Sequence, residues 1–197
     1  MKFEIFWPVK PSRINQGFGV NGEWYRQNGI NIAGHNGLDF FAYHGQPIKA
    51  AHDGEVVYAG MDAKEGVGVV LRTNELREYK DQEVYFKTIY WHLIKNIPVK
   101  VGQKVKVGEV IGYADNTGFS TGDHLHFGLK PQLKGENDWT WVNLEQDNGY
   151  MGAINPAEFC NGVYAEDALN VINEIPIIHK KINWLMELIS KIFKGRK

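Results

Sequence analysis

The chain has 197 residues, with 22 Lys and Arg against 23 Asp and Glu, for a formal charge of −1. That length sustains one domain with a buried core plus a short appendage, and 43% hydrophobic with 23% charged residues is the balance of a water-facing globular protein. The neutral charge provides no field for gripping a polyanion, which argues against nucleic acid as a partner; the lone Cys160 excludes an internal disulfide and a Cys-rich metal centre.

Residues Met1 to Pro8 are apolar only in part. Glu4 and Pro8 interrupt the run, so it is read neither as a secretory leader nor as a membrane span. Synthesis in the cytoplasm with delivery by another route is expected. From there to about residue 160 the chain reads as one β-rich domain, its short Val, Ile, Tyr and Phe runs punctuated by Gly, Asn and Asp. Strands are predicted over Gly54 to Gly60, Val67 to Arg72 and Val84 to Leu93. The polar stretch Arg72 to Glu83 is predicted to be a hairpin loop. Residues Val99 to Gly112 form two near-duplicate units that each end in Gly, which predicts a tight meander. Carrier domains for lipoyl groups share this spacing, but the context of their modified lysine is missing.

After Cys160 the apolar period changes. Leu169, Ile172 and Ile175, then Ile178, Ile182, Leu185, Ile189 and Ile192, recur at three and four, which is helical spacing. Pro176 starts a second helix or kinks a single one. The division is therefore a domain over 1–160 and an amphipathic helical tail over 161–197. From Pro176 onward the tail holds six basic residues and one acidic residue, Glu187. Two readings stand for it: a helix packed on the domain or on a second copy, and an amphipathic helix on an anionic membrane or wall surface.

Two short segments carry candidate chemistry. One is Gly34-His35-Asn36-Gly37-Leu38-Asp39-Phe40, the other Asp123-His124-Leu125-His126-Phe127. Were both strands, His35 and Asp39 would share one face, as would His124 and His126, while Leu38, Phe40, Leu125 and Phe127 would point to the core. Two imidazoles and a carboxylate are a common catalytic zinc set that leaves a fourth position for water. A surplus histidine would instead close the shell, so the count alone leaves a structural site open. His92, in Tyr90-Trp91-His92-Leu93, is placed to move a proton or steady an oxyanion. No H-E-x-x-H helix is present, which excludes a glutamate-base zinc protease of that type.

Taken in order, His35 to Asp39, Tyr90-Trp91-His92-Leu93 and His124-Leu125-His126-Phe127 resemble the signature of the lysostaphin-type (LytM-like) zinc peptidases. The likeness runs from about residue 8 to 158. It includes Gly45 to Ala51, Asp53 to Gly60, Val101 to Gly112, Asn116-Thr117-Gly118 and Ser120-Thr121-Gly122. The resemblance implies a mainly β fold, an antiparallel β-sheet groove walled by loops. It implies one zinc ion per chain on His35, Asp39 and His126, with His92 and His124 as the catalytic pair. It implies an endopeptidase acting on stem or cross-link peptides of bacterial peptidoglycan. With no leader read, a phage lysin or virion-associated enzyme acting at the cell wall is expected. Gly128, Asp115 and the Val20-Asn21 pair after Gly17-Phe18-Gly19 depart from the family pattern. The rival is a non-catalytic module that binds and activates a separate amidase; such modules typically lose zinc ligands, and this chain keeps them.

Other residues carry plainer expectations. His44 and His52 are read as surface turn residues, and His179 as a solvated or interface residue of the tail. Trp7, Trp24, Trp139 and Trp141 belong to the core or line a groove. Cys160 is expected as a small buried apolar residue.

Overall fold

The computed structural model describes residues 3–11, 13–133, 144–145 and 147–168. In chain order the elements are β1 (Ile5–Trp7), β2 (Ile14–Gln16), α1 (Gly22–Gln27), β3 (Leu38–Phe41), β4 (Pro47–Lys49) and β5 (Gly54–Asp62). They continue with β6 (Gly66–Thr73), β7 (Arg77–Tyr79), β8 (Gln82–Trp91), β9 (Lys104–Val105), β10 (Val110–Tyr113), β11 (His124–Leu133) and β12 (Cys160–Tyr164). A 3₁₀ turn, Pro156–Glu158, precedes the last strand and is capped by the Asn155 side chain.

The main sheet runs β2-β3-β11-β8-β6-β5-β9, with β7 paired to the far end of β8, and every pairing in it is antiparallel. Side chains alternate across it, so each strand sorts its residues onto two faces. Phe40, Leu125, Phe127, Leu129, Tyr90, Val69 and Leu71 go to one face and are fully buried. Each such side chain stabilises the fold by about 1.5–3 kcal/mol. The opposite face carries Asp39, His124 and His126 at one end, and a smaller apolar cluster of Val57, Val70, Ile89 and Trp91 beside them. This is the mainly β, antiparallel architecture expected from the sequence. Two small pairs complete it: β4 with β10, antiparallel, and β1 with β12, which is parallel.

Three expectations change. Residues 72–83 are not all loop, since Arg77–Tyr79 turns back on β8 through Lys80 and Asp81, both at positive φ. The glycine-ended units of 99–112 do not form a meander with each other. The first, β9, extends β5, and the second, β10, joins β4, because the Gly102 and Gly108 turns send the chain to different sheets. Sheet pairing also continues past residue 160: β12 lies along β1, and Ala165 and Ala168 pack with Val107 and Phe6. The helical tail predicted from Leu169 onward, with His179, lies outside the described residues, as do Trp139 and Trp141. No helix among the described residues is long and apolar enough to cross a membrane.

Candidate metal centre

Strands β3 and β11 are in direct register, with His126 opposite Asp39 and His124 opposite Phe41. Strand alternation therefore brings Asp39 and both histidines of β11 to one face. His35 arrives differently. It lies in a turn before β3, not in a strand, so the shared-face expectation for His35 and Asp39 is corrected in its reason. His35 is fixed by its own backbone, with N–H donating to Val20 O (2.8 Å) and C=O accepting from Gly19 N (2.8 Å). Its Nδ1–H donates to Gly17 O (3.1 Å), which turns Nε2 toward Asp39. Gly37 makes the approach feasible: a Cβ there would stand 2.7 Å from His126 Cε1.

The result is a tight triangle. His35 Nε2 is 3.0 Å from His126 Nδ1 and 3.1 Å from Asp39 Oδ1, and His126 Nδ1 is 3.0 Å from the same oxygen. Burial opposes ionisation of Asp39, but the His126 and His35 imidazoles set against it outweigh that and hold the carboxyl well below the usual carboxylate range. The donor set suits a divalent ion. Tetrahedral zinc bonds of ~2.0–2.1 Å place donor atoms about 3.3 Å apart, so these three would move only a few tenths of an ångström to grip one.

Beside the triangle stand His92 and His124, their rings 4.5 Å apart. His124 Nε2 is 3.8 Å from Asp39 Oδ1. Each ring donates its Nδ1–H to a main-chain carbonyl, His92 to Thr117 O (2.7 Å) and His124 to Gly122 O (2.8 Å). Nε2 is thereby left as the open lone pair on both rings. His92 follows the last residue of β8 and adopts φ 64°, a left-handed conformation. In a continued strand it would follow the alternation toward the core face. The positive φ breaks that alternation at a cost of about 1–2 kcal/mol. Asp115 N, donating to His92 O (2.8 Å), and Leu93 N, donating to Val67 O (2.9 Å), lock it there. Burial, then the His124 and His126 imidazoles, lower the His92 pKa to about 4, so it is neutral near pH 7.

Sequence reasoning missed several parts of this region. Gly17, Thr117 and Gly122 matter through their carbonyls, which residue type does not announce. Tyr25 on α1 lays its ring parallel to His35 at 6.2 Å, and its hydroxyl accepts from Gln16 Nε2 (2.9 Å). Burial and the Asp39 charge push that phenol up to about 12.

His52 is a correction. It is 5% exposed and not a surface turn residue. Its Nδ1–H donates to Asp53 O (2.9 Å), and Nε2 meets Thr88 Oγ1 (2.9 Å). His44 is exposed, as expected, and contacts Asp115 Oδ1 (3.1 Å). Trp7 packs edge-on against Phe40, whereas Trp24 is 45% exposed and meets Phe119 across the rim. Cys160 is partly buried, with burial pushing its thiol up to about 12. At Gly128 an added Cβ would make only ordinary contacts, the nearest at 3.4 Å with Ile89 Cβ.

Comparison with known proteins bears on family and fold. The model of Peptidase family M23 matches residues 33–138, more than half of the chain. The glycyl-glycine endopeptidase ALE-1 of Staphylococcus capitis is 41% identical over 99 residues, covering 50% of this chain and 25% of ALE-1. The peptidoglycan DD-endopeptidase ShyA of Vibrio cholerae is 40% identical over 98 residues, covering 50% of this chain and 20% of ShyA. Each match thus spans a quarter or less of the relative. The structure of the antimicrobial peptidase lysostaphin from Staphylococcus simulans superposes with a TM-score of 0.52 at 30% identity, over 75% of this chain and 48% of that one.

Proposed function

From the premise that the chain belongs to Peptidase family M23, we propose that it is a zinc-dependent endopeptidase that hydrolyses stem or cross-link peptides of bacterial peptidoglycan, acting at the cell wall. The observation that carries this reading is the triangle of His35 Nε2, Asp39 Oδ1 and His126 Nδ1, with sides of 3.0–3.1 Å, beside two further imidazoles. These three residues would hold one zinc ion. When bound, zinc polarises a carbonyl and makes water acidic enough to deprotonate near neutral pH.

The remaining steps belong to the chain itself. With Nδ1 committed to carbonyls, His92 and His124 each offer Nε2 to the cleft. One neutral imidazole accepts the proton of the attacking water on its free Nε2, and the Nε2–H so formed steadies the oxygen that gains charge and then passes that proton to the leaving nitrogen. Asp39 stays ionised and keeps the two facing imidazoles oriented. We assign peptidase chemistry to residues 1–160 and treat 161–197 as an appendage that begins on β12.

The test is digestion of purified peptidoglycan with mass spectrometry of the released fragments. Zinc-loaded protein should release peptides with new amino termini, chelation should abolish release, and added zinc should restore it. Release that survives complete metal removal rejects the metal mechanism. Zinc-loaded protein that cuts nothing yet accelerates an amidase supports the non-catalytic module instead.

A further inference from the structure

A cavity of about 180 Å³ lies between β1, β4 and β12 and is lined by none of the metal-centre residues. Trp7, Tyr43 and Tyr164 give it aromatic walls, and Lys10, Lys49 and Glu166 give it charged rims. We propose that this cavity binds one pyranose ring of an uncharged polysaccharide strand.

Size comes first. The cavity is smaller than the ~300–1,000 Å³ of pockets that enclose drug-sized ligands, so it fits a single ring rather than a folded chain. Charge narrows the class. Lys10 lies 3.5 Å from Glu166 and 3.3 Å from Asp167, and its ammonium sits 5.0 Å over the Tyr164 ring. Lys10 is thus already offset by carboxylates, which leaves Lys49 beside a mixed-charge wall and disfavours a highly charged anion. An uncharged ligand rich in hydroxyls uses both signs, taking hydrogen bonds from ammonium groups and giving them to carboxylates. The C–H face of a pyranose is apolar and flat enough to lie on an aromatic ring. Tyr43 offers such a ring, 60% exposed at the mouth of the cavity.

Position ties the cavity to the centre. Tyr43 starts the turn 43–46, where its N–H donates to Gln46 Oε1 (3.1 Å) and Gln46 Nε2 donates to Lys10 O (2.8 Å). Gly45 N donates to Ala114 O (2.8 Å), and the next residue, Asp115, donates its N–H to His92 O. The turn therefore holds the cavity and the histidine pair in one rigid frame. Tyr43 is four residues beyond Asp39, a reach of at most about 14 Å along the chain. An extended peptide of about four residues covers the same distance. On the peptidoglycan reading, on which this step rests, the stem attached to a sugar in the cavity is long enough to reach the metal centre.

The probe is the tetrasaccharide of β-1,4-linked N-acetylglucosamine, which has no stem peptide to cut. It is titrated into the full chain while amide NMR shifts are followed. The expected shifts cluster at Trp7, Tyr43, Lys49 and Tyr164. Tyr43→Ala should weaken binding about tenfold, the loss of one stacking contact, and Tyr43→Phe should retain it. Thermal melting of both variants should match wild type, since the side chain is exposed. With peptidoglycan as substrate, Tyr43→Ala should raise KM and leave kcat unchanged, and cleavage of a glycan-free cross-linked peptide should not change. Absence of a saturable shift, or equal binding by Tyr43→Ala, overturns the inference, as does a glycan-free stem peptide shifting the same residues. Protein that cuts peptidoglycan but ignores the tetrasaccharide refutes the sugar site alone. Protein that binds the tetrasaccharide but cuts no peptidoglycan refutes the endopeptidase reading alone.

Discussion

Asp39 Oδ1 and His126 Nδ1 lie 3.0 Å apart because the two residues face each other directly across the β3–β11 pairing. Asp39→Asn keeps the shape and removes the charge that both facing imidazoles depend on. Zinc stoichiometry, measured by calorimetry or elemental analysis, should fall well below one per chain, with activity lost alongside and the melting profile of the metal-free protein retained. Full zinc occupancy in this variant would remove Asp39 from the ligand set.

His92 and His124 should separate from that set. His92→Asn and His124→Asn are expected to lower kcat by roughly 10²–10⁴, the scale of a lost acid or base. Both should leave zinc bound at one per chain. Asn tolerates the left-handed backbone of position 92, so folding is preserved there. Loss of zinc from the His124 variant would transfer that residue to the ligands.

Acid should weaken the fold through His52. Burial lowers its pKa in the folded protein to about 4, against an ordinary 6.5. Above pH 6.5 both folded and unfolded states carry it neutral, and stability is complete. As pH falls from 6.5 to 4, the unfolded state takes the proton first, and stability drops by roughly 3 kcal/mol. Urea midpoints between pH 7 and pH 4 should show a steep fall that His52→Gln flattens. His92 titrates in the same direction in metal-free protein, so part of the slope should survive in that variant.

Two glycines of the sheet should respond to very different degrees. A Cβ on Gly68 would stand 1.9 Å from Trp91 Cε3, and Trp91 pairs directly with His126. Gly68→Ala should cost about 1–3 kcal/mol by overpacking, and it should disturb zinc binding as the ring shifts. Gly128→Ala, whose nearest contact would be 3.4 Å, should alter stability by less than about 1 kcal/mol. Paired thermal melts decide both.

What could be read from residues alone follows the reach of each interaction. Strand period is local, so the shared face of His124 and His126 was legible, as was the mainly β fold from its apolar alternation, whereas setting Asp39 beside them took the β3–β11 pairing. His35 joined them only because its loop is braced by Val20 and Gly19, a contact no periodicity encodes. His92 needed a left-handed backbone that the β-rich run around it gave no reason to expect. The burial of His52 depends on Thr88, 36 residues away, whereas its neighbours Asp53 and Gly54 look like any exposed turn. The partners of β9 and β10 were hidden for the same reason: duplicate spacing describes each unit, not the sheet that receives it.

Three imidazoles around the cleft, those of His35, His92 and His124, are each aimed by a peptide oxygen, from Gly17, Thr117 and Gly122. No side-chain exchange can delete such an anchor; only a change in the path of the chain can. The supporting loops are therefore free to drift in residue identity as long as their trace is kept. An insertion or deletion of a single residue there should be more damaging than several substitutions, and any transplant of the centre into another scaffold would have to carry those loops across whole.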